Sequence, residues 1–106
     1  MIIYNVTIKI DKEVENDWYK YMVTQHIPDV MSTGKFKEYR LSKVMVDDGE
    51  GTNYSIQYLC SDMKTLEDYQ NNHAQSLQEE HTERYKDKFV AFRTLLEVVD
   101  HNSKIE

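Results

Sequence analysis

The opening ten residues constrain this chain most. Ile2, Tyr4, Val6, Ile8 and Ile10 alternate with Ile3, Asn5, Thr7 and Lys9, the period of two expected of a β-strand that buries one face. A chain that begins this way must supply its first strand with partner strands and with a layer to cover the apolar face. The pattern that follows supplies both.

Asp11 is placed to cap a helix, with Glu13 suited to its positive end. From Val14, the residues Trp18, Tyr21, Met22 and Gln25 or His26 recur at helical spacing. Pro28, the only proline, cannot continue the hydrogen-bond ladder, so the helix is expected to break or kink near Ile27. A short helical turn from Pro28 to Thr33 then ends at Gly34. Phe36 to Val46 reads as a second strand, Asp47-Asp48-Gly49-Glu50-Gly51 as a turn, and Asn53 to Cys60 as a third strand paired with the second. Ser61 or Asp62 caps a long helix with the inner stripe Leu66, Tyr69, His73, Leu77, His81 and Tyr85. Phe89 to Val99, rich in β-branched and aromatic residues, is the last strand.

This order predicts an α+β fold, the ferredoxin-like βαββαβ arrangement of a four-stranded antiparallel sheet with two helices on one face. Residues 1–100 form one domain on this reading and 101–106 a flexible tail. The second sheet face is left bare. Ile3, Asn5 and Thr7 belong to it on the first strand, and Ser55, Gln57 and Leu59 on the third. The fourth strand contributes either Phe89, Ala91, Arg93 and Leu95 or Val90, Phe92, Thr94 and Leu96. Either set is too apolar to leave in water, so a homodimer is expected, two sheets packing face to face as a dimeric α+β barrel with a partly polar interior.

The 13 basic and 19 acidic side chains give a net charge of −6, which argues against a phosphate-tracking surface and hence against a nucleic-acid partner. Arg84, Lys86 and Lys88 are interrupted by Glu83 and Asp87 and read as a solvated helix end. Cys60 is the only cysteine, so neither an internal disulfide nor a cysteine-pair metal site can form. No stretch approaches the ~20 apolar residues of a membrane span, and Met1 to Asn5 lacks the basic head of an export signal. The expected setting is the cytoplasm, with no membrane partner.

Among groups able to carry chemistry, His26-Ile27-Pro28-Asp29 stands where a helix is expected to break. His26 can act as a general base with Asp29 orienting it, or it can simply end the Trp18–Met22 stripe with Asp29 favouring the next helical turn. His73 and His81 are eight residues apart, ~12 Å along an unbroken helix and too far to share a metal ion. Both read as packing residues; one of them could join His26, since both helices cover the same face. Arg93 lies within an apolar strand and needs a partner. Glu97, on the same side, offers an ion pair; a small anionic or aromatic ligand bound bidentately offers another. Asn5, Gln57 and Trp18 are further candidate ligand contacts. Cys60 reads as a small buried residue. Neither a cofactor nor a metal is expected.

Taken together, Met1-Ile2-Ile3-Tyr4-Asn5-Val6-Thr7, Trp18 followed by His26-Ile27-Pro28-Asp29-Val30, Thr33-Gly34-Lys35-Phe36, Tyr54-Ser55-Ile56-Gln57-Tyr58 and Lys88-Phe89-Val90-Ala91-Phe92-Arg93-Thr94 resemble a small bacterial family catalogued as a domain of unknown function. That resemblance implies a fold and a family but no activity. At fold level the chain is similar to the dimeric α+β barrel proteins, which include cofactor-independent monooxygenases, haem-degrading enzymes, muconolactone-type isomerases and effector-binding domains. Fold alone transfers no function. Two readings follow: a dimeric small-molecule-binding or accessory domain, or a small cofactor-independent oxygenase- or isomerase-like enzyme acting on an apolar anionic substrate. On the second, His26 is the base, Asp29 its orienter and Arg93 the anion clamp.

Overall fold

The alternation of the first strand is realised in full. In the computed structural model, which describes residues 1–46 and 49–102, strand β1 (Ile2–Ile10) is inner, and its Tyr4, Val6, Ile8 and Ile10 are all buried. It pairs antiparallel with β3 (Thr52–Cys60) on one side and β4 (Phe89–Glu97) on the other, and β2 (Glu38–Lys43) pairs with β3. The sheet order is β2-β3-β1-β4. The element order is therefore βαββαβ, with the helical segments packed over one face.

The first helical segment departs from the expected break. A single 3₁₀ turn (Lys12–Val14) leads into α1 (Glu15–Tyr21), Met22–His26 is π-helical, and α2 (Ile27–Ser32) follows with Pro28 in its first turn. The helix runs through the proline because a wider π turn stands ahead of it, where Pro28 would otherwise crowd the carbonyl four residues back. Asp11 makes no side-chain cap. Asp62 does, accepting from the Thr65 backbone N–H at 2.8 Å, as expected of a residue in that position.

The second helical segment is not the single helix expected. It divides at His73, whose φ of −131° and ψ of −37° separate α3 (Met63–Asn72) from α4 (Ala74–Arg84). Leu66, Tyr69, His81 and Tyr85 of the predicted stripe are buried, but Ala74 replaces His73 at the break. The second strand is shorter than the span 36–46. Phe36 leaves the ladder and is buried instead, its ring 4.8 Å from Tyr69 and 5.1 Å from Tyr58. Of the predicted turn 47–51, Asp47 and Asp48 lie outside the described residues, as do 103–106 of the predicted tail.

The turn ends at Gly51, which sits against the inner strand. A Cβ there would stand 2.8 Å from the Ile10 carbonyl oxygen, and backbone cannot yield as a side chain does. Gly51→Ala should therefore destabilise the chain by about 1–3 kcal/mol, read as a lowered urea midpoint with unchanged slope. A midpoint equal to that of the parent would show that the β1–β3 contact is looser than described.

Candidate functional site

Strand register delivers Arg93 to the helix-covered face. Val6 pairs with Arg93 and Ile8 with Ala91, so Phe89, Ala91, Arg93 and Leu95 share the side of Val6, and Val90, Phe92, Thr94 and Leu96 face away. Arg93 Nε donates to the Tyr4 hydroxyl oxygen at 3.0 Å. Among the described residues Arg93 forms no ion pair, with Glu97 or any other carboxylate. Its guanidinium stands at the exposed rim of a cavity of about 40 Å³, space for about three water molecules.

His26 reaches the same cavity from the helical layer as the last residue of the π segment, a type of helix irregularity often found at functional sites. His81 and Gln78, one turn apart on α4, complete the polar part of the wall, with Tyr4 from β1 below. The two imidazoles lie edge to face, centroids 5.5 Å apart. Behind them the fully buried Trp18 donates its Nε1–H to His81 Nε2 at 2.9 Å. Glu80 borders His26 and is held by Gln25 Nε2 at 2.7 Å and by the Tyr21 hydroxyl at 3.3 Å.

Burial governs the charge of this site. It pushes the His81 ring down to about 4, aided by the nearby His26 and Arg93. His26 is also lowered; burial and Arg93 outweigh the opposing pull of Glu80 and, after it, Asp29. Both rings are therefore neutral at physiological pH, and Arg93 is the cation of the site.

The structure gathers His26 and Arg93 on one cavity. Asp29 is exposed on α2, where its backbone carbonyl accepts from Ser32 Oγ, and it acts on His26 through charge alone. Trp18 lies behind His81, outside the lining. Asn5 and Gln57 face each other in register on the opposite side of the sheet; there Asn5 accepts from Ser55 Oγ at 2.7 Å and donates to Thr7 Oγ1 at 3.1 Å. Sequence reasoning missed Tyr4, Gln78 and Glu80. The spacing of Gln78 and His81 was a usable signal, since residues three apart share a helix face. Cys60 is buried and unpaired. No group of three or more His, Cys, Asp or Glu able to hold a metal ion occurs among the described residues. No helix among them is long and apolar enough to cross a membrane.

The uncovered face carries a larger groove of about 500 Å³ between β2 and the segment after β4, lined by Arg40, Gln57, Leu59, Leu96, Val99 and His101 among others. It is open where the helix-side cavity is confined.

The topology and this layout define a ferredoxin-like α+β protein, and solved structures agree. HapK from Hahella chejuensis matches with a TM-score of 0.74 at 6% identity, over 100% of each chain. A mutant of SnoaB, a cofactor-independent oxygenase from Streptomyces nogalater, matches with a TM-score of 0.69 at 8% identity, over 97% of this chain and 98% of the other. A dimeric ferredoxin-like protein from an uncultured marine organism gives 0.63 at 13% identity, over 98% and 100%. No curated protein matches the sequence. The chain belongs to the family described as Domain of unknown function (DUF4286), whose model matches residues 1–99.

A depressed histidine makes stability depend on pH with a definite sign. His81 binds its proton near 6.5 when unfolded and near 4 when folded, so the unfolded chain takes up the proton first. The contribution is complete above 6.5 and is lost as pH falls towards 4. Unfolding free energy should drop by about 2 kcal/mol between pH ~7 and ~5 from this group. His81→Gln should flatten the profile in that window; an unchanged slope would mean His81 titrates normally.

Proposed function

We propose that this protein is a homodimeric small-molecule-binding domain of the bacterial cytoplasm, taking a small apolar anion at the cavity between helices and sheet. The observation that carries this reading is the convergence of His26 and Arg93 on one cavity, with the guanidinium engaged only by a neutral phenol. A cation placed so, beside two neutral imidazoles and an aromatic and aliphatic wall, suits a carboxylate whose apolar body lies at the mouth. The cavity accepts the charged head alone, so the body of the ligand stays at the rim.

Dimerisation rests on the other face. Val90, Phe92 and Leu96 are 67, 61 and 40% exposed, flanked by Ile3 and Leu59 on the same side. A second copy would cover this stripe and enclose Asn5 and Gln57 in a partly polar interior between the two sheets. One structural relative is itself described as dimeric.

A second reading, a small oxygenase- or isomerase-like enzyme, is favoured by one observation. His26 is neutral and hydrogen-bonded to no described side chain, so a ring nitrogen is free to take a proton from a ligand held by Arg93. Glu80 would orient it more effectively than Asp29, being the stronger of the two influences on the ring.

Three outcomes are expected. Thermal-shift screening with aromatic carboxylates should raise the Tm, and Arg93→Ala and His26→Ala should each weaken that binding by about 10- to 100-fold while the fold persists. Variants that melt, or that bind as the parent does, remove those roles. Phe92→Glu should convert a dimer to a monomer in light scattering; a parent already monomeric ends the dimer proposal. Under the enzymatic reading His26→Gln should retain a bound ligand yet stop its conversion.

A further inference from the structure

Hydrogen-bond bookkeeping around the cavity carries the argument one step further, and this step rests on the binding reading above. An indole N–H can only donate. Trp18 Nε1 points at His81 Nε2, so that nitrogen must offer its lone pair, and the single proton of the neutral ring sits on Nδ1. No described protein group accepts from Nδ1. Yet no inaccessible side-chain nitrogen or oxygen among the described residues lacks a partner. His81 Nδ1–H therefore reaches open space, and the open space His81 lines is the cavity.

The same reasoning applies to Tyr4. A guanidinium can only donate, so the phenol oxygen accepts from Arg93 Nε at 3.0 Å, and the phenolic proton must point elsewhere. Gln78 Nε2, at 3.5 Å, is a second donor towards the same oxygen, at the long limit for such a bond. No acceptor for the phenolic proton occurs among the described residues. The Nη groups of Arg93 are likewise unclaimed by any described side chain.

We propose that Tyr4, His81 and Arg93 form an oxyanion site, three converging donors set for a carboxylate or enolate oxygen, and that Trp18 is the positioning residue that keeps His81 a donor. The sole acceptor on the polar wall is a ring nitrogen of His26. A cavity so built discriminates by hydrogen-bond sense as well as by charge: an oxygen that accepts finds three partners, while an ammonium or amide N–H of the same size faces donors. Trp18 contacts no ligand in this arrangement. It acts by dictating which nitrogen of His81 carries the proton.

The test has two arms on the full chain. In ¹⁵N–¹H correlation spectra of the histidine rings near neutral pH, His81 should be the Nδ1–H tautomer, and Trp18→Phe should release it into a mixture of tautomers. An Nε2–H or doubly protonated His81 in the parent overturns the proposal, and the parent spectrum decides even if Trp18→Phe fails to fold. In calorimetry, benzoate should bind and benzylamine, its near-isostere of opposite sense, should not; Tyr4→Phe should weaken benzoate by about 3- to 10-fold. Benzylamine binding as tightly as benzoate, or Tyr4→Phe leaving benzoate unaffected, overturns it too. A wrong tautomer with benzoate still held by Arg93 sinks this inference and spares the binding reading. The expected tautomer with no benzoate binding sinks both the ligand assignment and the reading beneath it.

Discussion

Strand β1 is the element on which the others depend. It is hydrogen-bonded along both edges, to β3 and to β4, and its Tyr4, Val6, Ile8 and Ile10 are buried beneath the helices. Each such side chain contributes about 1.5–3 kcal/mol when taken from water, so the helical layer must lie where these residues point. Two consequences follow from one strand. Whatever pairs with Val6 shares its face, which brings Arg93 inward. Whatever alternates with it is turned outward, which leaves Phe92 and Val90 in water.

The helical layer is tied across the two halves of the chain by a seam between α1 and α4. Trp18 binds His81, Tyr21 binds Glu80, and the Tyr85 hydroxyl donates to Asp17 at 2.7 Å. The members of the first pair are 63 residues apart, so the bond exists only in the folded chain. It also sets the chemistry of the cavity. A buried Trp–His bond of this polarity resists protonation of the imidazole, because an imidazolium would offer Trp18 a second donor instead of an acceptor. Packing and electrostatics thus agree that His81 stays neutral, although they act by different means.

The two sheet faces have opposite characters. On the covered face, polar groups converge on a small cavity inside an otherwise apolar and aromatic layer. On the uncovered face, apolar side chains of β4 stand beside the polar Asn5, Ser55 and Gln57. A confined polar site suits a small ligand, and a broad mixed surface suits a protein partner. Assigning the two tasks to opposite sides of one sheet lets each side meet its own demand.

The alternation of Ile2 to Ile10, the helical stripe of Trp18, Tyr21 and Met22, and the strand character of 89–97 were all legible in the sequence, because each is a local periodicity that secondary structure reproduces directly. So was the identity of the bare-face residues on β1 and β3. The break at His73 and the passage of the first helix through Pro28 were not, since each is a compromise between local geometry and the sheet below. His26 and Arg93 were recognisable as unusual residues from their positions alone. Which face Arg93 takes follows from register, and register is a relation between strands far apart in the chain. That His81 presents a donor to the cavity depends on an indole contributed from the other half. The sequence by itself determined the elements and the chemical inventory, which are properties of neighbouring residues; tertiary structure alone decided which of those groups meet, because hydrogen-bond polarity and burial arise only between segments that folding brings together.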